Sequence, residues 1–475
     1  MTSRVLPKAV RRPAGATSLP RPAAIAFVRV ALPVTRWAPL ERASGLLFMA
    51  LVATLTLEWI SLGGFLSGNI KPYHLAAVAF IAVSLMRYRP SRRLALILER
   101  RRAFYGAWIF YLLLVAVIGL TRAEPYFGRT EVVRQAFYGV TSVFVAAFFL
   151  DVDGGNVRRV LQWTGVASVV AVVVGLGSAV LRQGVNPLRL IGEALAKGDP
   201  DILSHQVFRL AFRSSVLPDA SASLRHKVFS AVLIGLAVTL ICRERPHSAR
   251  SRWRNWLLLV SVAFGALLVV GSLSRAIILC PVIVLGLCGL RMLVQNRVSP
   301  RQLAAVLAIP LVVLVMVASP LGSLLWSRFT SDTDSYQARL AAVQVDFVQG
   351  DVPSAVEVAV LGAAASAVER PPHNVVLDAW LSAGVLGAAA TALFLLAYLR
   401  VWLREVRRYL AGGPGWTLSL RQLWVVAVGV IPLVRAVTAG NGFHMLDWVC
   451  IGIVFGLVEA NRRAAATRWR WVGHP

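Results

Sequence analysis

The sequence predicts an all-α integral membrane protein of about twelve transmembrane helices, with a large helical loop on the extracytoplasmic side. Three observations predict it. The chain of 475 residues is 57% hydrophobic yet carries a formal charge of +28, with a mean hydropathy of +0.68, a combination that soluble domains rarely show. Apolar stretches of ~20 residues, the length that crosses a bilayer, recur along it. Short basic segments separate those stretches, as cytoplasmic loops do under the positive-inside rule.

In order, residues 1–42 are rich in Arg, Pro and Ala, with no acid before Glu41. They lack a continuous apolar core and a small-residue cleavage site, so they read as a disordered basic cytoplasmic tail rather than a signal peptide. The interval 43–460 is the polytopic domain. Its apolar segments lie near 44–66, 73–86, 104–120, 132–150, 160–181, 227–242, 256–273, 275–290, 303–320, 375–399, 422–437 and 444–460. With the N-terminus inside, the inner links are 87–103, 151–159, 243–255, 291–302, 400–421 and the basic tail 461–475. Together with 1–42 they hold about two-thirds of all Lys and Arg, as cytoplasmic segments should. Both termini are then cytoplasmic. The two long outer loops, 182–225 and 321–373, fall on the opposite side, and short helices over the membrane mouth are expected in the second.

Composition also excludes. No soluble basic domain is long enough for nucleic-acid binding, so the charge reports topology. Cys242, Cys280, Cys288 and Cys450 all lie in apolar runs, at spacings that suit neither a metal site nor an obvious disulfide, and read as small core residues. No glycine-rich phosphate loop, Walker pattern or internal repeat is present.

Residues with chemical potential concentrate between Leu321 and Leu399. There the outer loop meets an apolar run in the stretch ERPPHNVVLDAWLSAGVLG, Glu369 to Gly387. Pro371 and Pro372 stop a helix arriving from upstream. His373 follows, then Asn374, a good N-cap for the next helix. A titratable imidazole therefore stands where the loop re-enters the membrane. Arg275 stands at the entry to a span, after Ser-Leu-Ser, where the bland reading is a guanidinium snorkelling to headgroups. Arg339 lies in a short amphipathic stretch with Tyr336, Leu340 and Val343 at helical spacing; its bland reading is a salt bridge to Asp334 or Asp346. A lone loop histidine is more often incidental than catalytic.

Together they are more specific. Two guanidinium forks match the oxygens of a diphosphate, whose charge builds on the leaving oxygen as a glycosyl bond breaks. An imidazole titrating near neutrality suits proton removal from an attacking hydroxyl. Neither step needs ATP, a metal or another cofactor. Within the membrane, Glu58 lies in the first span, and Arg435 and Asp447 flank the last outer turn beside His444; for these two, a structural ion pair tying spans together is the preferred reading.

The residues SLSRA at Arg275, the Y-x-x-R pair Tyr336–Arg339 and PHNVVLDAWLSAGVLG from Pro372 resemble the O-antigen ligase / Wzy polymerase superfamily. The match covers mainly Gly271–Leu399, and its most specific part runs from His373 through Gly384 to Gly387. The resemblance implies a metal-independent membrane glycosyltransferase acting on polyprenyl-diphosphate-linked glycans at the outer face of a bacterial inner membrane. The acceptor is a glycan, lipid or protein hydroxyl, and membrane lipids surround the site. It implies that Arg275 and Arg339 hold the diphosphate and that His373 activates the acceptor. Asp378 stands where the family commonly has an acid, although a first-turn charge favourable to the helix dipole explains it equally. Arg209 and Arg213 depart from the family pattern, since Asp219 rather than Asn follows Pro218; both suit an anionic lipid head. A ligase and a polymerase share this donor chemistry. The rival classes are a transporter of a polar or lipid-linked solute using Glu58, Arg435 and Asp447, and a scaffold in which all the marked residues are replaceable.

Overall fold

The computed structural model describes residues 38–55, 62, 64–65, 68–87, 90–121, 129–151, 160, 275–294, 362, 374–412, 416–438 and 443–472, and a few single residues between 163 and 256. Among them the chain is helical apart from one minute hairpin. The helices are α1 (Ala38–Thr54), α2 (Pro72–Arg87), α3 (Pro90–Arg100), α4 (Arg102–Thr121), α5 (Arg129–Asp151), α6 (Arg275–Val294), α7 (Val375–Ala411), α8 (Trp416–Thr438) and α9 (Met445–Val472). Three of them, α4, α5 and α7, are long and apolar enough to cross a membrane.

Neighbouring directions follow from paired contacts. Helix α1 runs antiparallel to α2, because Glu41 pairs with Arg87 at 3.9 Å and Phe48 meets Phe80 at 6.1 Å. Helices α2 and α5 are parallel, through Tyr73–Tyr138 and Phe80–Phe148. Helix α7 is antiparallel to α8, since Trp402 Nε1 donates to Val426 O at 2.9 Å and Tyr398 to Gly429 O at 3.2 Å. Helices α6 and α7 end together, where the Tyr409 hydroxyl lies 3.4 Å from Cys288 Sγ and Arg291 sits 4.3 Å over the Tyr409 ring. The bundle therefore has a top, holding the starts of α2, α5, α6, α7 and α9, and a bottom, holding their ends.

Helices α5 and α9 run parallel in close contact through Gly452 and Gly456. A Cβ on Gly452 would lie 2.5 Å from Ser142 O, and one on Gly456 2.5 Å from Ala146 O. This is the small-residue packing by which helix backbones approach in an apolar medium. The G-x-x-x-G spacing was present in IGIVFG, inside the run 444–460, as a readable sign.

Several elements differ from the sequence expectation. The first apolar segment, 44–66, is not one helix: α1 ends at Thr54, and Gly64–Phe65 pairs with Gly68–Asn69 as an antiparallel hairpin. Its two-residue connection and flanking glycines favour a turn over a continued helix. The link 87–103 contains helix α3, whose Leu94, Leu96 and Ile97 pack against the core while Arg92, Arg93 and Arg100 stay exposed. Helices α7 and α9 run well past the apolar boundaries into 400–421 and 461–475. Their extensions are rich in Arg, Leu and Ala, good helix formers, with Glu405–Arg408 and Glu459–Arg462 paired one turn apart. The tail 1–42 already turns helical at Ala38. Cys280, Cys288 and Cys450 are buried and form no disulfide; Cys242 and Glu58 lie outside the described residues.

At the bottom, charged side chains from three segments meet. Glu459 pairs with Arg100 at 3.7 Å and with Arg462 at 3.6 Å, and Glu405 pairs with Arg408. Arg101, buried at the α3–α4 junction, stacks 4.9 Å over the Phe455 ring. Burial, then the neighbouring Arg462, draws Arg101 down to about 10, so it remains charged at neutral pH.

Candidate functional site

The candidate site is built on the first turns of α7. Asn374 has extended backbone angles, φ −138° and ψ 124°, and its side-chain Oδ1 accepts from the amides of Val376 at 2.9 Å and Leu377 at 3.3 Å. The N-cap expected at Asn374 is therefore present, satisfying two amides that a helix start leaves without partners. The Asp378 amide then closes the first helical bond to Asn374 O at 2.8 Å.

Asp378 is fully buried. A charge serving only the helix dipole at a surface needs no such burial, and a carboxyl removed from water must be held by neighbours. The next turn adds a bond from the Ser382 hydroxyl to the Asp378 carbonyl.

After Ser382 the helix breaks. Ala383 (φ −149°, ψ 28°) and Gly384 (φ 61°, ψ −159°) leave helical geometry altogether. Gly384 occupies a region of backbone space that only glycine enters cheaply. The apolar run 375–399, expected as one span, is thus two pieces. The first, 375–382, is ~12 Å long, and the second, 385–411, ~40 Å, at 1.5 Å per residue. The pieces fold sharply on each other. A Cβ on Gly387 would lie 2.5 Å from Ala379 O, although eight residues of straight helix would separate them by ~12 Å. The fold-back packs on α4, where Tyr111, Val115 and Ile118 cluster with Ala379, Ala383 and Ala390.

One residue of the preceding loop is described beside this break. Gly362 is buried, with φ 86°. A Cβ there would collide with Leu381 O and lie 3.0 Å from Ala383 N.

Three residues of the stretch after His373 each have a local reason. Asn374 caps the short piece, Gly384 makes the break, and Gly387 permits the fold-back. His373, peptide-bonded to Asn374, lies outside the described residues, as do Arg339, Tyr336, Arg209 and Arg213. Arg275 is the first residue of α6, at the top of the bundle, and its side chain is not among those described.

A second polar group at the top accounts for Arg435 and Asp447. Arg435 Nε lies 3.0 Å from Asp447 Oδ1, both side chains being almost wholly buried. Asp447 Oδ2 also accepts from the His444 amide at 2.9 Å, while the Asp447 amide donates to His444 O. This is the acid half of a capping box, with His444 at the N-cap. The pair ties α8 to α9, as the structural reading expected.

Sequence reasoning missed the break at Ala383–Gly384, the contact of Gly362 with it, and a hydroxyl network joining α2 to α5. There Lys71 N–H donates to His74 Nδ1 at 3.1 Å. The proton is thereby left on His74 Nε2, which lies 3.4 Å from the Tyr138 hydroxyl; Tyr138 in turn lies 2.9 Å from the Tyr73 hydroxyl. Only the small residues of Ser-Ala-Gly inside an apolar run hinted at the break.

Compared with models of known protein families and with characterised protein sequences, the chain matches none.

Proposed function

We propose that this protein transfers a glycan from a polyprenyl-diphosphate carrier to a hydroxyl acceptor at the outer face of a bacterial inner membrane, as an O-antigen ligase-like or polymerase-like enzyme. The observation that carries the reading is the unit formed by Asn374, Gly384 and Gly387. The cap, the break and the close approach give Asn374, Gly384 and Gly387 of the resembling stretch a structural role at the top of the bundle, and His373 directly precedes Asn374 in the sequence. The starts of α6 and α7 share that end, which supports grouping Arg275 with His373.

In this reading the acceptor hydroxyl gives its proton to His373. Its oxygen bonds to the anomeric carbon as the glycosyl–phosphate bond breaks. The electron pair leaves on the diphosphate, whose charge Arg275 and Arg339 neutralise. The start of α1 and the end of α9 lie at the same end of the bundle, which is compatible with the even number of spans that this reading takes to be about twelve. The test is transfer from a polyprenyl-diphosphate glycan by purified protein, with and without chelator, comparing wild type with Arg275→Ala, Arg339→Ala and His373→Ala. Chelator-insensitive transfer lost in all three variants is expected; full transfer by His373→Ala would overturn the mechanism.

One observation favours a second reading. A broken apolar helix is a feature of transporters, where it lines the substrate path, and α7 is broken. A flux assay separates the two, because transport should survive His373→Ala.

A further inference from the structure

We propose that the bottom of the bundle holds a binding site, centred on Arg101, for a phosphate group that carries its own hydroxyls, such as a phosphoglycerol head. The inference does not depend on the transferase reading, which concerns the opposite end of the molecule.

Arg101 stands at the elbow between α3 and α4, one residue before a helix long and apolar enough to cross a membrane. The elbow uses its backbone: its amide donates to Ile97 O and its carbonyl accepts from the Tyr105 amide, each at 3.0 Å. The residue is 7% exposed, and its guanidinium lies 4.9 Å over the Phe455 ring. That contact engages the flat face of the guanidinium and leaves its in-plane N–H donors unmet. Nη2 is buried without a hydrogen-bond partner. Among the described residues Arg100, Arg408 and Arg462 each have a carboxylate, and Arg101 has none. A buried charge with open donors is favourable only where an acceptor reaches it.

The surroundings specify that acceptor. Arg462, Glu459 and Glu405 are neighbouring charges that act on Arg101. Glu459 is shared between Arg100 at 3.7 Å and Arg462 at 3.6 Å, while Glu405 is taken by Arg408. Four guanidinium groups thus meet two carboxylates, and the excess of positive charge calls for an anion. Phosphate oxygens match the edge of a guanidinium, and basic pockets between helices at a membrane surface take lipid head groups. The carboxylates add a second requirement. Glu405 Oε2 and Glu459 Oε2 are buried acceptors without a hydrogen-bond donor, so a bare phosphate would be opposed by them. A group with its own hydroxyls supplies the missing donors while its phosphate accepts from Arg101 and Arg462. Arg100 and Arg408, both half-exposed, give the cluster a rim that a head group can reach.

The test titrates phosphatidylglycerol, phosphatidylcholine or glycerol 3-phosphate into full-length protein in neutral detergent and counts bound adducts by native mass spectrometry. Wild type is compared with Arg101→Gln and with Arg92→Gln, which removes an exposed arginine of α3 and reports diffuse attraction to anions. Phosphatidylglycerol should bind wild type and Arg92→Gln alike. It should bind Arg101→Gln about tenfold or more weakly, the loss expected when a charge-assisted hydrogen bond goes. Phosphatidylcholine should bind all three equally weakly. An Arg101-dependence seen with phosphatidylglycerol alone supports the site and makes its ligand a lipid head. The same dependence with glycerol 3-phosphate supports the site and makes its ligand soluble. Equal losses in Arg92→Gln and Arg101→Gln overturn the site in favour of diffuse surface charge. Wild type that binds neither phosphate overturns it in favour of confined water beside Arg101. Should Arg101→Gln fail to accumulate, Arg462→Gln takes its place, and phosphate binding equal to wild type overturns the site.

Discussion

The Arg435–Asp447 pair offers the sharpest energetic test of how the last two helices are held. Both side chains are almost wholly buried and meet at 3.0 Å, so removal of one leaves the other charged without its counterion. Loss of one partner of such a pair costs ~3–5 kcal/mol, most of it the stranded charge. Asp447→Ala should reach the upper part of that range, because it also deprives the His444 amide of its acceptor. Asp447→Asn should cost less, since an amide oxygen can still accept that bond. Removing both partners strands no charge, so Arg435→Ala/Asp447→Ala should be destabilised by less than the sum of the single variants. The shortfall should be ~1–3 kcal/mol, the range for directly interacting residues. Equilibrium unfolding in mixed micelles, followed by tryptophan fluorescence, measures the cycle. Additive costs would refute the pairing as an energetic unit. Transfer or flux activity that tracks Arg435 and Asp447 more steeply than stability does would mean that the pair serves a substrate instead.

Other outcomes follow from single contacts. Gly384→Ala forces a Cβ into φ 61° and should cost ~1–3 kcal/mol, seen as a lower unfolding midpoint accompanied by loss of transfer. Gly456→Leu pushes a side chain into the Ala146 carbonyl and should destabilise by ~1–3 kcal/mol or more by overpacking. Gly106→Ala, where a Cβ meets nothing within 4 Å, should be neutral or slightly stabilising in the same assay. Asn374→Ala removes both cap bonds and should cost ~1 kcal/mol, whereas Asn374→Asp should restore the midpoint. An Asn374→Ala midpoint equal to wild type would show that the cap contributes nothing.

Much of the fold was legible because it depends on apolar length alone. The runs near 73–86, 104–120 and 132–150 became α2, α4 and α5 within a few residues, since burial of a continuous apolar face leaves the backbone no alternative to a helix. The ends were less legible. Hydropathy stops where Arg and Glu begin, but a helix does not, and α7 and α9 continue on side-chain pairs such as Glu405–Arg408. The hairpin at Gly64–Asn69 was hidden because glycine scores as neutral in an apolar run while its backbone freedom decides the turn. At the candidate site the N-cap was readable from Asn374 itself. The break was not, because Ala383–Gly384 leaves hydropathy unchanged and the buried residue seated beside it, Gly362, stands twenty-two residues upstream of Gly384.

That separation bears on which chemistry the site supports. A break in a span is costly, since it frees backbone groups in an apolar setting, and it persists only if something covers it. In α7 part of the cover is a buried residue of the segment before it, Gly362. Where a broken helix lines a transport path, its freed groups face the solute and must be uncovered during the cycle. A buried glycine seated so closely that a Cβ on it would lie 3.0 Å from Ala383 N serves that purpose poorly. The break near the start of α7 therefore counts for less toward the transport reading once its covering residue is taken into account.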